Sequence, residues 1–140
     1  MSDVLGMVCL RPHTSCVYVE GRIRSVHVVV LQWAIMVKQI ESASEFKEFL
    51  KSAGDKLVVV DFTASWCGPC RRIAPLYEEL SKAHPDVFFC KVDVDDVAAL
   101  SESCGITAMP TFQFYKNATK VAEICGADEA KLKETIAKLK

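Results

Sequence analysis

A short apolar stretch that ends in two closely spaced cysteines is the feature that most restricts how this chain can fold. The stretch is Leu57–Phe62, and Trp66-Cys67-Gly68-Pro69-Cys70 follows it. A continuous apolar run is typical of a parallel strand that is covered on both faces. With two residues between the cysteines, one turn of a following helix brings the second sulfur back to the first. The pattern predicts a reversible dithiol–disulfide pair beside a central strand.

Composition limits the classes of protein to which the chain can belong. At 140 residues and 51% hydrophobic, it can bury one core, and one domain is expected. Lysine and arginine number 17 against 18 for aspartate and glutamate, which disfavours binding to nucleic acid or to an anionic membrane. Seven cysteines cannot all pair within one monomer. A reducing compartment with mostly free thiols is therefore expected.

Residues 1–35 differ in pattern from the rest of the chain. Their apolar run continues to Val37 but is only about 12 residues long, against roughly 20 for a membrane span, and His27 and Gln32 interrupt it. A secretory signal and a mitochondrial presequence are two alternatives. The preferred interpretation is an extension of unknown role, either disordered or upstream of a natural start at Met36.

A regular alternation of elements begins near Val37. Val37–Ile40 is a β-branched strand, and Ser42 to Glu45 has the spacing of a capping box before an amphipathic helix that Gly54 ends. After the central strand, apolar spacing predicts a helix from Cys67 to about Ala83, kinked at Pro75.

The second half completes a mixed α/β pattern. A buried strand is predicted at Val87–Val92 and a short helix capped by Asp93 to Asp96, ending at Gly105. The remaining predicted elements are a hairpin, Thr111–Tyr115 with Lys120–Ile124, and a helix from Asp128 that buries Leu132, Ile136 and Leu139. The order β-α-β-α-β-α-β-β-α implies a mixed sheet with helices on both faces.

The residues around the cysteines resemble those of the thioredoxin family. The resemblance is carried by Trp66-Cys67-Gly68-Pro69-Cys70, Asp61, Pro75, Met109-Pro110-Thr111-Phe112 and Gly126. It extends over residues 36–140, whereas residues 1–35 have no counterpart in the family core. It implies a thioredoxin fold, in which a central mixed sheet is flanked by helices on both faces.

The resemblance implies different roles for the two cysteines. Only a thiolate attacks a disulfide efficiently, and a free cysteine is mostly protonated at neutral pH. Cys67, at the N-terminus of a helix, would be the nucleophile, because the helix dipole stabilises its thiolate. Cys70 would be buried beneath it and resolve the mixed disulfide. Pro69 would restrict the turn so that the sulfurs stay close.

Asp61 interrupts an otherwise apolar strand, where burial is expected to raise its pKa. The resemblance implies that Asp61 accepts a proton from Cys70. The alternative is a hydrogen-bonded structural acid. Lys91, on the strand expected beside it, would keep the carboxylate partly ionised.

A docking surface for protein substrates is also implied by the resemblance. Met109-Pro110 would be a cis peptide bond whose backbone pairs with an extended substrate segment; an ordinary strand-edge proline is the alternative. The surface would be flat and mostly apolar. Its expected members are Trp66, Gly68, Pro69, Met109, Pro110 and Gly126.

The other cysteines are not expected to share in this chemistry. Cys90 is predicted to be a small core residue. Cys104 resembles a cysteine of animal cytosolic thioredoxins that can be regulatory, but Val97 and Ala108 occupy its plausible partner positions. Cys125 is expected to be exposed, with an intermolecular disulfide as the alternative. A zinc site lacks a second ligand pair, so no metal is expected.

These observations lead to one preferred function and two alternatives. The chain is expected to be a protein-disulfide reductase. It has no phosphate-binding Gly-rich turn, and the resemblance implies that NADPH reduces it through thioredoxin reductase. Expected acceptors include peroxiredoxins and ribonucleotide reductase. A cytoplasmic monomer is expected, with mitochondria as the alternative location.

One alternative function is a redox-dependent binding module without turnover. The other is a secretory disulfide oxidase or isomerase. Pro69 disfavours that alternative, because such enzymes usually have histidine at this position.

Overall fold

Residues 37–140 are described by a computed structural model and form nine helices and strands in the predicted order. The interpretation of residues 1–35 as an extension lies outside the described residues. The elements are β1 (Lys38–Ile40), α1 (Ala43–Ala53), β2 (Val58–Thr63), α2 (Gly68–Ala83), β3 (Phe88–Asp93), α3 (Ala98–Ser103), β4 (Thr111–Lys116), β5 (Thr119–Cys125) and α4 (Glu129–Leu139). Within residues 37–140, no helix has both the length and the apolarity needed to cross a membrane.

The sheet is mixed, and the apolar strand before the cysteines lies at its centre. The strand order is β1-β3-β2-β4-β5. Strands β1, β3 and β2 are parallel, whereas β4 pairs antiparallel with both β2 and β5. Every residue of β2 except Thr63 is buried, as expected for a strand with helices on both faces. The predicted fold class is confirmed.

Side-chain alternation along β2 divides the core into two apolar clusters. Val58, Val60 and Phe62 pack with residues of α1 and α3. Leu57 and Val59 pack on the opposite face with residues of α2 and α4. Because alternate residues of a strand share a face, Asp61 lies on the same face as Val59. This alternation directs the Asp61 carboxyl toward the side of the sheet that α2 covers.

The helix ends follow the predicted chemistry, with one correction. Ser42 caps α1 by accepting a hydrogen bond from the Glu45 N–H at 3.2 Å. The prediction that Asp93 to Asp96 cap α3 is wrong, because the helix begins at Ala98 and its N-cap residue, Val97, makes no side-chain capping bond. Asp93 Oδ1 instead accepts from the Asp95 N–H at 2.9 Å, which stabilises the turn before the helix.

Candidate active site

The two cysteines form a disulfide at the N-terminus of α2. Their sulfurs are 2.12 Å apart and their Cα atoms 5.3 Å apart. Cys67 is the N-cap residue, and its Sγ accepts a hydrogen bond from the Cys70 N–H at 3.2 Å. Free N–H groups and the positive end of the helix dipole favour negative charge there. Once the disulfide is reduced, this position stabilises a thiolate on Cys67.

Both cysteines lie in an apolar environment. Cys67 is 5% exposed and Cys70 is 2% exposed. They pack with Ala64 in a small cluster that Val94 and Met109 partly cover. Apolar surroundings strengthen electrostatic interactions because they exclude water. The hydrogen bond to Cys67 Sγ therefore acts in a low-dielectric environment.

Trp66 is the largest exposed side chain beside the disulfide, at 64% exposure. Its indole Nε1 donates a hydrogen bond to Asp95 Oδ2 at 2.9 Å. Asp95 is 29 residues away in the sequence, and nothing in its spacing marked it as part of the site. This contact holds the exposed indole next to Cys67.

The Met109–Pro110 peptide bond is cis, as the family resemblance implied. Met109 packs against the cysteine cluster. The Pro110 carbonyl accepts a hydrogen bond from the Gly126 N–H at 2.8 Å, and Gly126 has a φ of +94°. The loop before β4 is thus joined to the end of β5, and its Met109 packs against the cluster that contains the disulfide.

Asp61 is almost completely buried, and its Oδ1 has no hydrogen-bond partner among residues 37–140. Burial raises the pKa of this carboxyl to about 7, because the charged form loses its hydration. Lys91 lies opposite it on β3 and partly offsets the increase in pKa through its positive charge. A carboxyl with a pKa near neutrality can both accept and release a proton at physiological pH.

Comparison with known proteins agrees with this geometry. The sequence model of the family described as Thioredoxin matches residues 37–138. The chain belongs to the thioredoxin family.

Its relatives include thioredoxins of Ictalurus punctatus, 56% identical over 103 residues, and of Homo sapiens, 53% identical over 104 residues. These alignments cover 72% and 74% of the chain, and 96% and 99% of the relatives.

Solved thioredoxin structures agree with the fold. The thioredoxin of Fasciola hepatica superimposes with a TM-score of 0.73 at 43% identity, covering 74% of this chain and all of that one. A chain of the complex of ferredoxin:thioredoxin reductase and thioredoxin f2 superimposes with a TM-score of 0.72 at 36% identity. This superposition covers 76% of this chain and 96% of that one. As a thioredoxin, the protein is a thiol–disulfide oxidoreductase that reduces protein disulfides.

Tyr77 connects the active-site helix of this thioredoxin to the sheet. Its buried hydroxyl lies 2.9 Å from the Val59 carbonyl oxygen and 2.8 Å from that of Cys90. The hydroxyl donates its single proton to this pair of acceptors, so α2 is tied to β2 and β3 beside Asp61. The spacing of Ile73, Tyr77 and Leu80 along the sequence indicates one buried helical face, but it does not indicate that the Tyr77 hydroxyl bonds the sheet.

The remaining described cysteines are free thiols in three environments. Cys90 is fully buried in the core, as predicted. Cys104 is partly buried, with its sulfur 4.0 Å from the Tyr115 hydroxyl, and Cys125 is exposed. In the part of the chain from residue 37 onward, no group of three or more His, Cys, Asp or Glu residues could hold a metal ion.

Proposed function

We propose that this thioredoxin reduces protein disulfides by a two-step exchange in which Cys67 attacks and Cys70 resolves. The position of Cys67 as the N-cap of α2, with Cys70 bonded to it from within the helix, carries the proposal. The Cys67 thiolate attacks one substrate sulfur, forms a mixed disulfide and displaces the other substrate sulfur as a thiolate. Cys70 then attacks Cys67 Sγ, closes the disulfide and releases the second substrate sulfur.

Asp61 is proposed to accept the proton that Cys70 must lose before it attacks. Its location on the α2 face of the sheet and its pKa of about 7 support this role. The released substrate thiolates take up two protons overall, so the substrate gains two electrons and two protons and the enzyme loses the same. Lys91 is proposed to keep a fraction of Asp61 ionised at neutral pH.

Substrate docking is proposed on the surface around the disulfide. An extended substrate segment would pair with the backbone before Pro110, and the exposed indole of Trp66 would cover its apolar side chains. The hydrogen bond from Gly126 to the Pro110 carbonyl supports this arrangement, because it fixes the loop that receives the substrate. The proposed surface comprises Trp66, Gly68, Pro69, Met109, Pro110 and Gly126.

A thioredoxin reductase is proposed to return the oxidised protein to the dithiol state with electrons from NADPH. A related chain occurs in a complex with ferredoxin:thioredoxin reductase, which supports a reductase as a partner. Peroxiredoxins, ribonucleotide reductase and oxidised regulatory proteins are the proposed acceptors. We place the protein, as a monomer, in the cytoplasm, with mitochondria as the alternative compartment.

Reduction of insulin, coupled to NADPH and a thioredoxin reductase, tests the mechanism. The wild-type protein is expected to consume NADPH and precipitate the insulin B chain, whereas Cys67→Ser should do neither. Cys70→Ser should attack but remain trapped as a mixed disulfide, visible by mass on a non-reducing gel. Trapping through Cys70 in the Cys67→Ser variant, or partner binding without NADPH consumption, would overturn the assignment.

A further inference from the structure

Two arginines line a surface pocket next to the disulfide. The pocket has a volume of about 500 Å³, and its walls are Gly68, Pro69, Arg71 and Arg72. Gly68 and Pro69 are the residues between the two cysteines, so the pocket borders the reacting sulfurs. Both arginine side chains are exposed. The walls therefore present two guanidinium groups beside the turn that holds the disulfide.

Neither guanidinium has an acidic partner within residues 37–140. The three ion pairs of this region are each formed by a lysine, and none of them includes Arg71 or Arg72. Pairs at i±3 or i±4 along α2 are also excluded, because those positions hold cysteine, glycine, proline, alanine and leucine. The overall charge of −1 shows that the arginines are not part of a generally basic chain.

The helix dipole does not explain the arginines. They follow the first three residues of α2, whose first turn contains no acid. Positive side chains near a helix N-terminus are disfavoured by the dipole, and cations are favoured at the opposite end. Arginine presents a planar fork of donors that matches a carboxylate with two parallel hydrogen bonds. Two such forks beside the disulfide suit a substrate with acidic side chains.

We infer that Arg71 and Arg72 form a carboxylate-binding subsite that favours protein disulfides flanked by aspartate or glutamate. This inference extends the proposed reductase function and depends on it. The arginines act before the chemical step, by raising the rate at which an acidic substrate is captured. They are specificity residues, whereas Cys67 and Cys70 carry out the exchange on every substrate.

Three disulfide peptides that differ only in the residues flanking the cysteines test this subsite. The flanking pair is Asp, Asn or Lys, and each oxidised peptide is mixed with the fully reduced full-length protein. Second-order rate constants come from acid-quenched samples, in which peptide thiols are separated and counted. No reductase is required. The two aspartates of the acidic peptide would form exposed ion pairs with Arg71 and Arg72. The acidic peptide is therefore expected to react about fivefold faster than the neutral one at low salt.

Matched charge variants test whether Arg71 and Arg72 cause the faster reduction of the acidic peptide. R71Q/R72Q should bring the acidic-to-neutral rate ratio close to one, and R71D/R72D should favour the Lys peptide. K47Q/K51Q removes the same charge from exposed positions on α1, on the opposite face of the sheet, and should retain the wild-type ratio. About 0.5 M salt should abolish the ratio in the wild-type protein. A ratio is the readout because changes in Cys67 reactivity affect all three peptides equally.

The outcomes separate the subsite from the reductase function. Reduction of all three peptides at equal rates would overturn the carboxylate subsite and leave the reductase function standing. A fivefold ratio that survives in R71Q/R72Q would also overturn it. If the wild-type protein reduces none of the peptides, the proposed function fails, and the subsite fails with it.

Discussion

Asp61 holds a carboxyl group at the centre of the sheet, where the fold opposes its ionisation. The carboxyl has a pKa of about 7 in the folded protein, against 3.8 in the absence of burial. Between these pH values the unfolded chain releases a proton that the folded chain retains. The free energy of unfolding therefore falls as the pH rises from about 4 to 7, by up to about 4 kcal/mol.

Asp61→Asn is expected to remove most of this pH dependence. The variant should lack the fall in the free energy of unfolding that Asp61 causes across that pH window, so its stability relative to wild type should rise with pH. Urea unfolding of the oxidised proteins at pH 4, 5.5 and 7.5 measures the difference. Asp55→Asn, at an exposed position before β2, is the control and should follow the wild-type curve. Parallel curves for wild type and Asp61→Asn would contradict the raised pKa.

The same substitution should slow catalysis without blocking the attacking thiol. Without a proton acceptor, Cys70 must lose its proton to solvent, and the insulin reduction rate should fall at least about tenfold. Iodoacetamide alkylation of Cys67 should remain close to the wild-type rate, because the N-cap environment of Cys67 is unchanged. Unchanged insulin turnover would remove the general-base role of Asp61.

Gly126→Ala is expected to destabilise the protein through backbone strain alone. Gly126 has a φ of +94°, and nothing lies within 4 Å of a Cβ added there. A side chain in this region of backbone conformation should lower the free energy of unfolding by about 1–2 kcal/mol. Gly68→Ala is the matched control, because a Cβ added at Gly68 also has no atom within 4 Å and the φ of Gly68 is not positive. Equal stabilities of the two variants in urea would contradict the strain.

At the scale of single elements, the apolar periodicity of the sequence predicted the helices and strands more reliably than the capping residues predicted where helices begin. All nine elements were predicted in order, because apolar residues recur with periods of a strand or a helix. The predicted start of α3 was wrong, because Asp93 accepts a hydrogen bond from the Asp95 N–H in a turn instead of capping the helix. Aspartates serve turns and helix caps by the same kind of hydrogen bond, so a run of them does not locate a boundary.

Tyr77→Phe is expected to loosen the attachment of α2 to the sheet. The substitution keeps the ring and removes the hydroxyl that bonds the carbonyls of Val59 and Cys90. The free energy of unfolding should fall by about 1–2 kcal/mol, because buried acceptors lose a donor without a cavity being formed. Urea unfolding of the oxidised form provides the measurement. A stability equal to wild type would show that the two carbonyls are satisfied by the sheet alone.

At the scale of the whole molecule, the family resemblance grouped the main site residues, but some contacts around the site were not predicted from the sequence. The cysteine pair, Asp61 and Pro110 were predicted as site residues from motifs. The contact of Trp66 with Asp95, and the fact that no acidic side chain among residues 37–140 pairs with Arg71, arise from the tertiary fold. Such contacts depend on sheet order and register, which local periodicity does not specify.

A chain that starts at Met36 is expected to fold and to reduce insulin as fast as the full-length protein. Both apolar clusters, the disulfide and the proposed docking surface lie within residues 37–140. An alignment over 104 residues already covers 99% of the human relative. The two proteins should agree within about 0.5 kcal/mol in urea unfolding, the range of changes away from packed contacts, and in NADPH-coupled turnover. A slower or less stable short chain would assign a structural or docking role to residues 1–35.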